Sequence, residues 1–173
     1  MVQNPPANSY EIQIDAQTEV VISAVSWATH FQKVNVHSEP ELKPGIKDIA
    51  FTGTGEGQAM KTDQGDMVLR IEKGTPRVLT LTFLYNLNQP TAWWDFQPCL
   101  GVKSFYPQPR GRTANVGPSL EIDVVGSNDN NQDNDYNDCV VFVAKYGDRF
   151  DENQAEEGRS IPVSEITRRA PTS

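Results

Sequence analysis

Period-two alternation of apolar and polar residues is the feature that most restricts how this chain can fold. It runs through "SYEIQIDAQTEVVISAVSW" (residues 9–27), "KVNVHS" (33–38), "DMVLRIEK" (66–73), "PRVLTLTFLYNL" (76–87), "SLEIDVVG" (119–126) and "CVVFVAKY" (139–146). Successive side chains of a strand point to opposite faces, so this pattern places one face of each segment against a core. The segments are rich in Val, Ile, Thr, Phe and Tyr and are separated by Pro, Gly and Asn, which break pairing and set turns. No stretch before the C-terminal tail carries a good 3.6-residue apolar period. The fold class expected is all-β, an antiparallel sandwich of about nine strands with long surface loops.

Two segments read as loops. "HSEPELKPGIKD" (37–48) spaces prolines among charges, and "QPTAWWDFQPCLGVKSFYPQPRGRTANVGP" (89–118) is long and aromatic. Trp93, Trp94, Phe96, Phe105 and Tyr106 in the latter suit core or edge packing first and a stacking platform second. The expected organisation is an N-terminal arm (1–9), a sandwich (10–149) and a polar tail (150–173), the tail with one weak strand or helix at "IPVSEI".

One run breaks the strand rhythm. "SNDNNQDNDYNDCVVFV" (127–143) crowds Asp129, Asp133, Asp135 and Asp138 with five Asn and a Gln, then turns apolar. Carboxylates so close repel one another, and Asn and Asp favour turns, so the run reads as a loop that collects a cation before entering a strand at Cys139. Calcium fits best, because a hard dication takes six to eight oxygens from carboxylates, amides and backbone carbonyls. Zinc fits poorly, since His30 and His37 lie far along the chain from Cys99 and Cys139. The spacing is not an EF-hand: counted from Asp129, the twelfth position is Val140 where a bidentate Glu belongs.

The net charge of -8 and pI near 4.7 oppose non-specific binding to nucleic acid or to anionic membranes and suit a cation. No apolar run reaches membrane-spanning length. "MVQNPPANSY" lacks a basic and an apolar signal region, so the default address is cytoplasmic, with non-classical export to the extracellular side as the other reading. Cys139 reads as a small buried strand residue, and a Cys99–Cys139 bridge stays open.

The string "VVGSNDNNQDNDYNDCVVFV" (124–143) closely resembles the signature of the soluble calcium-mediated bacterial lectins that bind fucose and mannose. "VISAVSWATHFQKVNV" (21–36) is similar to that family's early hairpin, whose turn reaches the calcium site. The resemblance implies a nine-stranded sandwich holding two adjacent calcium ions that coordinate vicinal hydroxyls of a monosaccharide. Asp133, Asp135, Asn137 and Asp138 match family ligands; Asn128 or Asp129 stands where the family has a Glu ligand, and Trp27 where it ligates through a backbone carbonyl. Ala28, Thr29 and His30 correspond to the sugar-selecting positions, beside Asp129, Asp133, Asp135 and Asp138 on the ions. A homo-oligomer is compatible, although some thirty residues follow Val143 where the family ends in a ligating carboxylate.

Three functions therefore compete: a calcium-dependent lectin with no catalysis, a calcium-stapled structural or assembly domain, and a glycosidase using paired carboxylates. The last lacks an acid in an apolar setting and any Ser-His-Asp or Cys-His arrangement.

Overall fold

The computed structural model describes residues 7–87, 96–99, 101–105, 118–129 and 136–148. These form β1 (Ser9–Ile14), β2 (Thr18–Ser26), β3 (Phe31–Glu39), β4 (Asp48–Gly53), β5 (Gln58–Ala59), β6 (Lys61–Thr62), β7 (Leu69–Ile71), β8 (Arg77–Asn86), β9 (Gln97–Pro98), β10 (Gly101–Phe105), β11 (Pro118–Asn128) and β12 (Cys139–Asp148). Nine of these have three or more residues, which is the number expected, and β5, β6 and β9 are two-residue additions at sheet edges. Among the described residues there is no helix, and hence none long and apolar enough to cross a membrane.

All strand pairings among the described residues are antiparallel and build two six-stranded sheets. The first runs β1-β8-β3-β4-β6 with β9 on β8, and the second β10-β11-β12-β2-β5 with β7 on β2. Alternation decides which residues meet between them. Val20, Ile22 and Ala24 of β2 and Val125, Val141 and Val143 of β11 and β12 face Val34, Val36, Phe51, Leu79, Leu81 and Phe83 of the first sheet, all buried in one core. Burial of this aliphatic and aromatic area is the main favourable term holding the sheets together.

Two expectations change. Segment 21–36 is not a hairpin: β2 lies in the second sheet and β3 in the first, so residues 27–30 form a corner that crosses the sandwich. Ile22, Ala24 and Ser26 on one side and Gln32, Val34 and Val36 on the other are all inward, and both strands bury that face by packing across the core. The long aromatic segment is also not wholly a loop, because "GVKSF" pairs with β11 as β10, from Gly101↔Asn128 to Phe105↔Val124. Its alternation is short, and the Pro and Gly around it mask the strand signal. The cysteines are both free and buried.

Candidate functional site

The corner between β2 and β3 and the loop joining β11 to β12 come together at one end of the sandwich. Backbone bonds fix the approach: Trp27 N donates to the Asp138 carbonyl at 2.9 Å, and Asp138 N donates to the Ser127 carbonyl at 3.2 Å. Antiparallel pairing brings the two loop ends side by side, with Ser127 opposite Cys139 and Cys139 opposite Ser26. The acid-rich run thus ends against the residues that open the corner.

Two carboxylates meet there. Asp129 is fully buried and Asp138 nearly so, and Asp129 N donates to Asp138 Oδ2 at 2.7 Å. Asp129 Oδ2 accepts from His30 Nδ1 at 2.8 Å and from Gln32 Nε2 at 3.2 Å. A carboxylate only accepts, so Nδ1 carries the hydrogen, and any proton acceptance by this imidazole falls to Nε2. Because Gln32 and His30 belong to the first sheet's side and Asp129 to the second, this acid ties the two layers at the site end. The two donors offset part of the hydration that this buried carboxylate gives up.

Beneath the acids lies a sulfur-lined floor. Cys139 Sγ is 3.5 Å from Met60 Sδ. Burial pushes the Cys99 thiol up to about 12; a Ser127 hydrogen bond opposes this, and the nearby Asp129 and Asp138 add to it. Burial likewise raises Cys139 well above the ordinary thiol value. Both sulfurs therefore pack as neutral thiols.

Tyr136 turns the chain out of the loop with a φ of 57°, the left-handed region that a non-glycine residue enters only when its surroundings hold it there. The hold is visible at Gly126, where an added Cβ would collide with the Tyr136 carbonyl oxygen and reach Phe105 Cε2 at 3.0 Å. Only glycine lets the loop backbone lie this close to β11. The Tyr136 ring packs towards Gly101, with Lys103 Nζ 5.9 Å from its centroid.

Of the residues singled out from the sequence, Trp27, Ala28, Thr29, His30, Asp129, Asn137 and Asp138 are gathered at this end. Ala28 is buried and Trp27, Thr29 and Asn137 are exposed. Asp133 and Asp135 lie outside the described residues. Among the described residues no three His, Cys, Asp or Glu side chains gather around one point as a metal cage would. Gln32 was not singled out, yet its side chain is fully buried against Asp129, and its Oε1 has no hydrogen-bond partner among the described residues. The signal was present in phase: Gln32 shares the inward register of Val34 and Val36.

No curated protein sequence matches the chain. Among solved structures it is similar to the Chromobacterium violaceum lectin CV2L in complex with α-methyl-fucoside (18% identity, 80% of this chain and 96% of that one, TM-score 0.45). It is also similar to the C-terminal domain of the BC2L-C lectin from Burkholderia cenocepacia (19% identity, 77% and 97%, TM-score 0.38). The assignment rests on the family model for fucose-binding lectin II (PA-IIL), which matches residues 12–146 and so spans the sandwich from β1 to β12, the corner and the acid loop included. The chain belongs to the fucose-binding lectin II (PA-IIL) family, whose members are carbohydrate-binding lectins and not enzymes.

Proposed function

We propose that this lectin binds a fucose- or mannose-type monosaccharide through calcium held by the acid loop. The single observation that carries the reading is the family match over residues 12–146, which includes that loop and the corner facing it. The donor chemistry fits a hard dication. The candidate ligands Asp129, Asp133, Asp135, Asn137 and Asp138 and the backbone at Trp27 are oxygen donors, and Gln32 Oε1 is a buried oxygen beside them still lacking a donor. Asp129 Oδ2 is committed to His30 and Gln32, so any ion contact by this carboxylate falls to Oδ1.

Calcium bound there supplies Lewis-acidic centres for vicinal hydroxyls; two ions sharing carboxylates offset the repulsion in the loop. His30, oriented by Asp129, and Thr29 on the exposed side of the corner select hydroxyl orientation. Calorimetric titration with fucose, mannose and galactose, with calcium and again in EDTA, tests this reading. Binding of fucose or mannose that disappears with EDTA is expected, together with a melting temperature that rises in calcium, because a ligand of the native state stabilises by mass action. Sugar binding that persists in EDTA overturns calcium mediation, and a calcium-raised melting point without sugar binding favours the structural staple.

The reading extends to self-association. The outer face of β11 and β12 pairs Leu120 with Tyr146, Ile122 with Ala144 and Val124 with Phe142, a surface to which these two strands contribute no charged side chain. With β10 and β2 it spans about 20 Å by 25 Å. That matches the apolar centre of a standard interface, which buries ~800 Å² per partner with its rim. Glu19, Arg70 and Lys103 supply such a rim. A second copy turned about a two-fold axis presents the same uncharged patch to it, so the occupant is another copy of this chain. Sedimentation should show a dimer.

A further inference from the structure

We propose that the Trp27 indole is a platform for the second ring of a glycan, so that this site reads a disaccharide and not only its terminal sugar; the proposal rests on the sugar-binding reading above. The corner is bolted on two sides. Trp27 N is held by the Asp138 carbonyl at 2.9 Å, while the Ala28 carbonyl accepts from Gly55 N and the Thr29 carbonyl from Thr54 Oγ1, each at 2.9 Å. The turn before β5 is itself tied to β2 through Ser26↔Gln58 and Val25↔Ala59. The backbone that carries Trp27 is therefore fixed between the acid loop and this turn.

On that backbone the side chain faces outward. Trp27 is 52% exposed between buried Ser26 and Ala28. Its benzo edge rests at Gly57, where a Cβ would sit 3.6 Å from Cη2 and Cζ3, and Gly57 holds a φ of 68° that disfavours any larger residue. The indole is thus braced along one edge and about half exposed. An amphipathic ring of this kind, wet on one side and anchored on the other, suits the C–H face of a pyranose with its hydroxyls left to water. The Asp138 carbonyl that holds Trp27 N ends the cation loop, and His30, three residues on, is oriented by Asp129, so the terminal sugar is assigned to the His30 side and the ring next to it to Trp27.

The test compares affinity for a methyl glycoside with that for a disaccharide ending in the same sugar: methyl α-fucoside against fucosyl-α1,2-galactose, and methyl α-mannoside against mannosyl-α1,2-mannose. The readout is the ratio of the two Kd values in calcium for the parent chain, Trp27→Ala and Trp27→Phe. A gain for the disaccharide of about tenfold, equivalent to roughly 1.4 kcal/mol, is expected in the parent. It should fall to near one in Trp27→Ala and return in part in Trp27→Phe. A methyl glycoside that binds with no disaccharide gain, or with a gain that Trp27→Ala leaves intact, overturns the platform while sugar binding stands. If neither methyl glycoside binds, the sugar reading falls and takes the platform with it.

Discussion

On the outside of the first sheet, Lys33, Asn35 and His37 of β3 lie beside Leu84, Thr82 and Thr80 of β8, with Ser9 and Glu11 of β1 beyond them. On the outside of the second, Leu120, Ile122 and Val124 of β11 lie beside Tyr146, Ala144 and Phe142 of β12. Both sheets turn an apolar inner face to the same core. Only the first finishes its outer face for water, through contacts such as Ser9 Oγ to Thr82 Oγ1 at 3.2 Å and His37 Nδ1 to Asp48 Oδ1 at 2.8 Å. A sheet that is solvated on one side alternates cleanly, whereas one covered on both sides reads as a continuous apolar run. "KVNVHS" is the first kind and "CVVFV" the second, which fits the self-association proposed for the second sheet.

Adjacent residues of β12 turn this difference into the largest expected effect. Val141 is fully buried and Phe142 is 37% exposed on the opposite face. Val141→Asp buries a carboxylate with no counter-charge and should cost several kcal/mol, enough to unfold a domain whose whole stability is about 5–15 kcal/mol. Phe142→Asp should leave the far-ultraviolet circular dichroism and melting cooperativity intact while shifting sedimentation from dimer to monomer. If Phe142→Asp unfolds the chain as Val141→Asp does, the outer face is core and the comparison fails.

Next in size is the charge set into the inner face. Asp123 is buried on β11, and Lys145 Nζ reaches its Oδ2 at 2.9 Å and Glu121 Oε1 at 3.0 Å. Burial works to depress the lysine, but hydrogen bonds and attraction from Asp123 and Glu121 outweigh it and hold the group above its ordinary value. A raised lysine contributes stability that is fully present below the ordinary 10.5 and is lost as pH climbs through the higher folded value, so the melting temperature should fall above about pH 10.5. Lys145→Met strands Asp123, whose Oδ1 already lacks a hydrogen-bond partner, and should cost about 3–5 kcal/mol in denaturant melts. Adding Asp123→Leu should recover most of it; no recovery would mean that Lys145 acts through its stem and not its charge.

How far these features were legible differs by kind. Alternation placed the all-β class and most long strands because it states the side-chain phase directly, and the Asn and Asp run marked the loop. Phase does not say which strand is the neighbour. The crossing from β2 to β3 therefore looked like a hairpin, since Ser26 and Phe31 flank a short turn in either arrangement. β10 was hidden by Pro98 and Gly101, and Gln32 passed as a polar interruption although it stands in the buried register. The tie of Asp129 to His30 joins residues 99 apart, which no local pattern reports.

A smaller effect is expected where the acid loop leans on the second sheet. Gly126→Ala sets a methyl group against the Tyr136 carbonyl and has no flexible side chain to displace. Overpacking of this kind costs typically about 1–3 kcal/mol. Because Tyr136 lies within the loop, between Asp135 and Asn137, the loss should come with weaker calcium binding by calorimetry. A destabilised variant with parental calcium affinity would separate the loop's packing from its ligands.

The smallest effect falls on the first sheet's outer face. Thr80 and Thr82 are half-buried, hydroxyl-bearing positions on β8, and replacing both with Val exchanges one partly buried hydrogen bond, that of Thr82 to Ser9, for two apolar groups of good strand propensity. Stability should stay within about 0.5 kcal/mol, the range of ordinary surface substitutions. The sedimentation coefficient should not change either. An outer patch associates only if it is apolar across several strands, and these two positions remain ringed by Glu11 and Gln13 on β1 and by Lys33, Asn35 and His37 on β3. Bringing two such faces together would dehydrate those charges without pairing them, a cost that two methyl groups do not offset. Dimer formation gained by Thr80→Val and Thr82→Val, in a chain already carrying Phe142→Asp, would show that the first sheet is kept apart by its threonines alone and that its charged rim contributes nothing.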